Sequence, residues 1–442
     1  MVIVGAGFGG LECARRLDGA AVDVLLVDRS GYHLFTPLLY QVATALLNPG
    51  EIAYPLRAVF RRSANVRVRA AAVTGIDLAR RVVAAAPGGE VSYDYLVLAT
   101  GSAASYHGSA QLAANSIALK TLADGTRLRN HVLGCLERAD YEPDPDQRRA
   151  LLTFVIAGGG PGGVEYAGAL RELLRLTAGR DYPAVKLADT RIVLVQNAGR
   201  LLTGFSPRLG RYAERTLTRR GVEVRLHTHV TAADGRQVTL SDASTVAART
   251  LVWAGGVAPL VPPAAPGPGA GPGTGHGGRV TVDEFLRIPG AAGAYALGDT
   301  AAEGGRPLPM VSAPAIQAGR YLAAAIRADL AGRQPPPFRY HDKGQMATIG
   351  RNAAVAHLRG GLELTGLAGW LAWLLVHLWY LTGFRNRLTA LASWTWYYLR
   401  LNRPIRIILQ TPPDPIVATL AAPDPGERRA VPAETQGGGS TL

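Results

Sequence analysis

Cysteine and lysine are both scarce in this 442-residue chain, and the shortage of cysteine excludes two classes of protein. Cys13 and Cys135 lie far apart and belong to no CxxC pair, so the chain carries neither a disulfide scaffold nor a cysteine-based zinc site. Any redox chemistry must therefore come from a bound cofactor. We expect no metal site.

The chain has only three lysines, so its formal net charge of +14 comes almost entirely from arginine. Such a charge favours nucleic acid, an anionic membrane or phosphate-bearing ligands as partners. Hydrophobic residues make up 48% of the chain and charged residues 18%, which excludes a disordered protein and predicts two or three domains with sizeable cores. The N-terminus carries no basic leader or cleavage site, so secretion is not predicted.

A glycine-rich turn follows the apolar segment Val2–Val4. Gly5, Gly7 and Gly10 fit the pattern GxGxxG, and a stretch with helical apolar spacing follows them. Glycine is needed where such a turn is tight and where the backbone must approach a pyrophosphate, which then rests on the helix N-terminus. Asp28 ends the next predicted strand, Val22–Val27, where a carboxylate can accept hydrogen bonds from a ribose. These features together predict a dinucleotide site.

The same pattern occurs again after the apolar strand that begins at Phe154. Gly158, Gly160 and Gly163 form the second fingerprint, but Gln196 stands where an acidic residue would end the next strand, Arg191–Val195. An acid there repels the 2′-phosphate of NADPH, so a neutral amide predicts weaker discrimination against NADPH. Alternatively, Gln196 binds the ribose and selectivity lies elsewhere. Two dinucleotides in one chain predict hydride transfer from a nicotinamide to a flavin.

The order of these motifs resembles the flavoprotein disulfide-reductase superfamily. The first fingerprint is followed by Ala99-Thr100-Gly101 after a strand, then by the second fingerprint and by Leu297-Gly298-Asp299. Within the superfamily the chain resembles the type II NADH dehydrogenases, the single-subunit, non-pumping NADH:quinone oxidoreductases. The segments that carry this resemblance are Tyr32–Thr44, Val164–Leu170, Lys343–Arg351 and Phe384–Arg387.

The resemblance implies FAD as the cofactor and NADH, with NADPH as an alternative, as the substrate. It implies that Thr100, Gly101, Gly298 and Asp299 help to hold the flavin, with Asp299 near its ribityl chain. It also implies that Glu165 lies near the nicotinamide and the flavin. From its sequence position alone, Glu165 would be a carboxylate favoured near a helix start.

The quinone pocket of the family lies near residues that match Tyr40, Gln41 and Gln317. Each of the three would otherwise be an ordinary buried hydrogen-bonding residue. Many members carry a further glutamine where this chain has Ala313, so quinone contact at that position is not predicted. Sulfide:quinone reductases and disulfide reductases need redox cysteines near the flavin. We predict instead that Cys13 lies in the first nucleotide-binding helix and Cys135 on a surface helix.

The C-terminal part of the sequence has the composition of a membrane-binding segment. Leu364–Phe384 contains no charged residue and three tryptophans, and Arg385–Arg406 mixes arginines with aromatic residues and contains no acid. The first stretch is about as long as a membrane span, but an interfacial anchor also uses arginines beside aromatic rings. We favour peripheral attachment and keep a single span as the alternative. Because the basic residues are mixed with apolar sequence, we predict no nucleic-acid partner.

The sequence thus predicts an α/β fold with two Rossmann-like dinucleotide-binding domains and a C-terminal membrane-associating helical tail. The predicted parts are an FAD-binding domain in two segments (1–150 and 280–360), an inserted NAD(P)H-binding domain (151–279), anchoring helices (361–410) and a flexible tail (411–442). The expected enzyme belongs to the respiratory chain and passes electrons from NADH through FAD to a membrane quinone, at the cytoplasmic face. A homodimer, reduction of a soluble acceptor and a redox-signalling membrane protein without turnover remain open.

Overall fold

The computed structural model describes residues 1–264, 271–304, 307–400, 402–403 and 405–409, without the side chain of His276. Residues 1–408 form one compact unit, and a second begins at Leu409. The predicted flexible tail, 411–442, and the middle of the Pro-Gly-Ala segment from Pro262 to Gly278 lie outside the described residues.

The described residues form α-helices and β-strands whose bounds are as follows. The helices are α1 (Phe8–Leu17), α2 (Leu39–Ala43), α3 (Pro49–Ile52), α4 (Leu56–Val59), α5 (Ala110–Ala114), α6 (Leu122–Tyr141), α7 (Pro145–Leu151), α8 (Pro161–Thr177), α9 (Pro207–Arg219), α10 (Ser312–Leu330), α11 (Gly366–Tyr380) and α12 (Phe384–Arg400). The strands are β1 (Val2–Val4), β2 (Val24–Asp28), β3 (Tyr32–Leu34), β4 (Ala53–Pro55), β5 (Val66–Ala70), β6 (Ala72–Asp77), β7 (Val82–Ala86), β8 (Gly89–Ser92), β9 (Leu96–Leu98), β10 (Ser102–Ala104), β11 (Ile117–Ala118), β12 (Thr153–Ala157), β13 (Arg191–Val195), β14 (Val222–Arg225), β15 (Val230–Ala233), β16 (Gln237–Leu240), β17 (Thr245–Ala247), β18 (Thr250–Trp253), β19 (Val257–Pro259), β20 (Val280–Val282), β21 (Ala294–Ala296), β22 (Ala301–Glu303), β23 (Gly344–Gly350), β24 (Ala353–Leu358) and β25 (Glu363–Thr365).

The first sheet is parallel, with the strand order β21-β9-β1-β2-β5. Its central strand β1 is buried along its whole length, as expected of a strand covered on both faces. Helix α1 packs beside the long helix α10, and a Cβ on Gly319 of α10 would lie 2.3 Å from the Gly9 carbonyl oxygen. The strand predicted at Val22–Val27 is confirmed, with bounds two residues later at its start and one later at its end.

The second sheet is also parallel, with the order β11-β18-β12-β13-β14. Helix α8 follows β12 and buries Val164, Ala167, Leu170 and Leu174, the apolar face that the sequence predicts. Strand β12 is buried along its whole length, and β13 is buried from Ile192 to Val195. Strand β11 (Ile117–Ala118) also belongs to this sheet, although it precedes residue 151, where the predicted NAD(P)H-binding domain begins. The α/β class with two parallel Rossmann-like sheets is therefore confirmed.

The antiparallel strands β6-β7-β8 and β15-β16-β17 form two further sheets, and the three-stranded sheet β23-β24-β25 leads into the two C-terminal helices. Helix α8 approaches β23 closely, since a Cβ on Gly168 would lie 2.2 Å from the carbonyl oxygen of Ile349. The apolar stretch Leu364–Phe384 is divided between β25, helix α11 and the start of α12. No helix in the described part of the chain has both the length and the apolar composition needed to cross a membrane.

Helix α11 has two apolar faces. Gly369, Trp373 and His377 lie four residues apart and face the protein, with Trp373 only 1% exposed. Leu371, Leu375 and other apolar residues on the opposite face lie in solvent, with Leu375 70% exposed. A helix that is apolar on all sides while one side faces solvent marks a surface for another apolar phase or a partner.

Candidate functional site

The first glycine turn leaves room for a ligand against its backbone. Gly5 adopts φ of +97°, and a Cβ there would lie 2.4 Å from the Ala99 carbonyl oxygen. A Cβ on Gly7 would meet no described atom within 4 Å, while one on Gly10 would lie 1.9 Å from the Gly5 carbonyl oxygen. Gly7 precedes α1 without a side-chain cap, so its first N–H groups are available to an anion. The turn therefore fits the pyrophosphate of a dinucleotide.

Asp28 lies at the end of β2, beside this turn. One carboxylate oxygen, Oδ2, accepts a hydrogen bond from the Ala6 N–H at 2.8 Å, and Oδ1 accepts one from the Ser30 N–H at 2.7 Å. The carboxylate thus braces the glycine turn. Each oxygen has a second lone pair, which leaves capacity for the hydroxyls of a ribose.

The predicted flavin-holding residues Thr100, Gly101, Gly298 and Asp299 lie together between β9, β10 and the turn that follows β21. The Gly101 N–H donates to the Thr300 hydroxyl at 2.9 Å, and the Thr100 hydroxyl lies 3.1 Å from that same hydroxyl. The Ser102 hydroxyl donates to Asp299 Oδ2 at 2.5 Å. The structure therefore brings residues 100–102 and 298–300 to one point although they are distant in sequence.

Lys120 is a member of this cluster that the sequence did not predict. Its ammonium donates to the Ser102 hydroxyl at 2.8 Å and lies 4.0 Å from Asp299 Oδ2. Burial lowers the pKa of Lys120, and the neighbouring Asp299 charge opposes that shift. One signal in the sequence was the rarity of lysine in a chain whose cations are nearly all arginine.

The second glycine turn repeats the geometry of the first. Gly158 adopts φ of +105°, a Cβ on Gly160 would meet no described atom within 4 Å, and one on Gly163 would lie 1.9 Å from the Gly158 carbonyl oxygen. Gln196 Oε1 accepts a hydrogen bond from the Gly159 N–H at 2.8 Å, as Asp28 does from Ala6. The amide nitrogen of Gln196 is the donor group left for a ligand.

A cavity of about 550 Å³ opens at the carboxyl ends of β12, β13 and β18, beside this turn. Gln196, Asn197, His229, His107 and Trp253 are among its lining residues. Ligands bind to doubly wound sheets at this edge, and the volume suits a small-molecule cofactor. The structure therefore places a nucleotide-sized site where the second fingerprint predicts it.

Glu165 lies on α8, buried between the second sheet and the C-terminal helices. Its Oε1 accepts a hydrogen bond from the Thr348 N–H at 3.3 Å, and the Trp373 indole lies beside it. Burial raises the pKa of Glu165 to about 8, against the opposing effects of these two donors. The side chain therefore holds a proton at neutral pH, unlike an exposed carboxylate near a helix start.

Tyr40 and Gln41 on α2 are buried, Tyr40 beside Trp373 and Gln41 beside Trp394. The Gln41 amide nitrogen donates to the Tyr40 hydroxyl at 2.8 Å, and Gln41 Oε1 accepts from the Trp394 indole N–H at 2.7 Å. The Tyr40 and Trp373 ring centroids are 6.4 Å apart. Burial, assisted by the charge of nearby Glu165, raises the pKa of Tyr40 well above its ordinary value. Tyr40 therefore remains a hydrogen-bond donor.

A series of ring contacts connects this cluster with the first glycine turn. Phe8, at the start of α1, contacts Phe35 at 5.7 Å between centroids, and Phe35 contacts His377 at 6.2 Å. His377 stacks on Trp373 at 4.1 Å. Burial lowers the pKa of His377 to about 4, so its ring is neutral at physiological pH.

Gln317 makes no described hydrogen bond to another predicted site residue. Its amide nitrogen donates to the His341 carbonyl at 2.9 Å, and its Oε1 accepts from the His341 N–H at 3.0 Å. Gln317 therefore fastens the segment before β23 to α10. Its predicted contact with quinone stays a prediction.

Comparison with known proteins assigns the chain to a family. Residues 1–319 match the family of pyridine nucleotide-disulphide oxidoreductases. Two type II NADH:quinone oxidoreductases of Mycobacterium tuberculosis, Ndh and NdhA, are each 39% identical to it. The alignments cover 91% of this chain and 89% of Ndh, and 89% of this chain and 86% of NdhA. The chain belongs to the type II NADH:quinone oxidoreductases.

The fold comparison agrees with this membership. The NDH2 structure from Plasmodium falciparum in complex with NADH superposes with a TM-score of 0.83 at 17% identity, and covers 92% of this chain and 99% of that chain. This oxidoreductase is therefore built on the fold of that structure over nearly its whole described length. FAD as cofactor and NADH as substrate fit the family and the two turns.

Sequence reasoning missed the residues that the C-terminal helices bring to the site. The sequence places Trp373 and Trp394 in the predicted membrane anchor. In the structure both are buried, Trp373 beside Glu165 and Trp394 beside Gln41. One signal in the sequence could have indicated this burial. Trp373 is four residues from Gly369 and four from His377, so the three share one face of a helix. The prediction that Cys135 lies on a surface helix is wrong. Its thiol is buried in α6, 3.6 Å from the His131 ring nitrogen.

Proposed function

We propose that this chain takes hydride from NADH and passes two electrons to a membrane quinone without pumping protons. FAD, when bound, supplies the chemistry by accepting the hydride and giving up the electrons. One observation carries the proposal. The chain has two nucleotide-binding turns, one in each parallel sheet, together with a buried cluster of Glu165, Tyr40 and Trp373. The relatives that are 39% identical to this chain are named as NADH:quinone oxidoreductases.

Each part of the site has a role in this proposal. The backbone N–H groups after Gly7 and Gly160 bind the two pyrophosphates, and Asp28 orients the ribose of the flavin nucleotide. Asp299, held by Ser102, binds the ribityl chain. Glu165, whose burial raises its pKa to about 8, would hold a proton at neutral pH beside the place proposed for the nicotinamide and the flavin. Tyr40, Gln41 and Gln317 bind the quinone.

The exposed face of α11 and α12 supports a lipid-binding surface. Its members, which we call the apolar face, are Leu367, Leu371, Leu375, Trp379, Phe384, Leu388, Leu391, Trp396 and Leu399. Arg385 and Arg400 on α12 lie among them in the sequence and suit lipid phosphates. We propose peripheral attachment to the cytoplasmic leaflet through this face. The homodimer stays a prediction.

The first sheet supports the proposed domain division, with the FAD-binding domain at 1–150 and 280–360 and the NAD(P)H-binding domain at 151–279, whereas β11 of the second sheet lies before residue 151. Strands β1, β2, β5, β9 and β21 all fall in the first domain. Residues 361–410 form the proposed anchor, although its inner face also completes the site.

Steady-state oxidation of NADH by a short-chain quinone, together with an absorption spectrum of the purified protein, tests the function. We expect a flavin spectrum and quinone-dependent turnover. Reduction of a soluble acceptor without quinone turnover would favour the first rival, a reductase of a soluble partner. A flavin spectrum without turnover on any acceptor would favour the second, a redox-signalling protein.

Use of NADPH is a finer proposal that rests on Gln196. Because the Gln196 carbonyl is occupied by the Gly159 N–H, its N–H group faces the ligand and does not repel a 2′-phosphate. We expect Gln196→Glu to lower kcat/KM for NADPH relative to NADH by about tenfold, the effect of roughly 1.4 kcal/mol. Asn197→Asp, on the adjacent cavity-lining residue, serves as the matched control. An unchanged ratio in Gln196→Glu would place selectivity elsewhere.

A further inference from the structure

The indole of Trp394 fixes the orientation of the Gln41 amide. An indole N–H donates and cannot accept, so the Gln41 atom 2.7 Å away must be the carbonyl oxygen. That choice turns the amide nitrogen toward Tyr40, whose hydroxyl accepts from it at 2.8 Å. All three side chains are at least nine-tenths buried, so water does not compete for these bonds.

The Tyr40 hydroxyl is thereby left as a donor. Its oxygen accepts from Gln41, and among the residues that the structure describes none accepts a hydrogen bond from the hydroxyl proton. Burial keeps that proton on the oxygen. Without Trp394, the Gln41 amide is free to rotate so that its oxygen accepts a hydrogen bond from the Tyr40 hydroxyl. The hydroxyl proton is then bonded within the protein and is no longer offered to a ligand.

We propose that Trp394 is a positioning residue for quinone reduction, because its N–H locks the Gln41 amide and so presents the Tyr40 hydroxyl as a hydrogen-bond donor to a quinone carbonyl. The inference rests on the proposed function. Helix α12 then has two functions in the proposal. It belongs to the segment that binds lipid, and through Trp394 it orients the Tyr40 hydroxyl that donates to the lipid-soluble quinone.

The test compares Trp394→Phe with Tyr40→Phe and with the double variant. Phenylalanine keeps an aromatic ring in place and removes the N–H. After reduction by NADH, we expect Trp394→Phe to slow reoxidation by a short-chain quinone about five- to tenfold, which is the effect of one lost hydrogen bond. The double variant should be no slower than Tyr40→Phe, because the two changes remove the same bond.

Two further measurements distinguish a positioning role of Trp394 from general damage to the site. Reoxidation by ferricyanide, which accepts electrons without a carbonyl group, should be unchanged in Trp394→Phe. The infrared carbonyl stretch of quinone bound to the oxidised enzyme should move to higher frequency in Trp394→Phe and in Tyr40→Phe. Trp370→Phe is the matched control, because Trp370 stacks on Tyr398 at 5.7 Å between centroids in the same helix pair.

Several results would overturn the inference. These are unchanged reoxidation by quinone in Trp394→Phe, equal slowing with quinone and ferricyanide, or a further loss when Trp394→Phe is added to Tyr40→Phe. A wild-type enzyme that reduces ferricyanide but no quinone would overturn the proposed function and this inference together. Quinone turnover in the wild type with any of the first three results would overturn the inference alone.

Discussion

Glu165 is a buried carboxyl group whose protonation should affect stability. Its folded-state pKa of about 8 lies above the ordinary value of 4.5, so its contribution to stability is full below pH 4.5 and is lost as the pH rises toward 8. Within that window the free energy of unfolding should fall by about 1.4 kcal/mol for each pH unit because of this group. Glu165→Gln should remove that part of the pH dependence.

Urea unfolding at pH 5 and pH 8 checks this prediction. The wild type should lose more stability than Glu165→Gln between the two pH values. Glu90→Gln, at an exposed position on β8, should behave like the wild type. Identical pH dependence in the wild type and Glu165→Gln would show that the buried carboxyl titrates as an exposed one.

Gly7 and Gly10 should respond differently to valine, although both belong to the first fingerprint. A Cβ on Gly7 meets open space, so Gly7→Val should fold and lack flavin because the side chain occupies the place of the pyrophosphate. A Cβ on Gly10 overlaps the Gly5 carbonyl, so Gly10→Val should lower the melting temperature itself. Absorbance and thermal melting distinguish the two. Full flavin occupancy in Gly7→Val would contradict the site.

At the scale of elements, the sequence predicted what depends on local pattern. Both glycine turns, the helices after them and the strand Arg191–Val195 lie where periodicity and spacing put them. The cluster at Asp299 was harder, because Ser102, Lys120 and Thr300 meet only through the crossing of β10 and the turn after β21. The sequence placed α11 in the membrane anchor and did not predict that one side packs on the protein, since a buried apolar face and an exposed one have the same composition.

Glu172 on α8 connects the C-terminal segment with the core. Its carboxylate accepts from the Tyr397 hydroxyl at 2.7 Å, from Arg403 Nη2 at 3.2 Å and from Arg220 Nη1 at 3.0 Å. Arg403 is fully buried and also donates to the Thr44 carbonyl at 2.6 Å. This ion-pair cluster therefore fixes the end of α12 to the same helix that carries Glu165.

Arg403→Met should lower the free energy of unfolding by about 3 kcal/mol, because it removes one partner of a buried ion pair and leaves the Thr44 carbonyl without its donor. Arg406→Met is the matched control. Arg406 pairs with Asp181 nearer the surface, so its loss should cost about 1 kcal/mol or less. Denaturant unfolding measures both. Equal losses would mean that the Glu172 cluster does not hold α12.

At the scale of the whole molecule, the apolar face and the proposed quinone site share the two C-terminal helices. Residues on the outer side of α11 are exposed, while Trp373 on its inner side lies beside Glu165. Under the proposed attachment, a lipid-soluble substrate would reach the enzyme at the same surface that binds the membrane. Removing these helices would also remove Trp373 and Trp394, so substitutions on the outer side alone are the cleaner test of attachment.

Burial of the apolar face, rather than charge, should dominate membrane binding. Each large apolar side chain fully buried contributes roughly 1.5–3 kcal/mol, against about 1 kcal/mol for an arginine near an anionic surface. The wild type should therefore float with anionic vesicles in high salt. Leu375→Glu with Trp379→Glu should abolish flotation, whereas Tyr141→Glu with Leu330→Glu, two exposed apolar positions on α6 and α10, should not. Release of the wild type by salt alone would show that the arginines, and not the apolar face, hold the enzyme on the membrane.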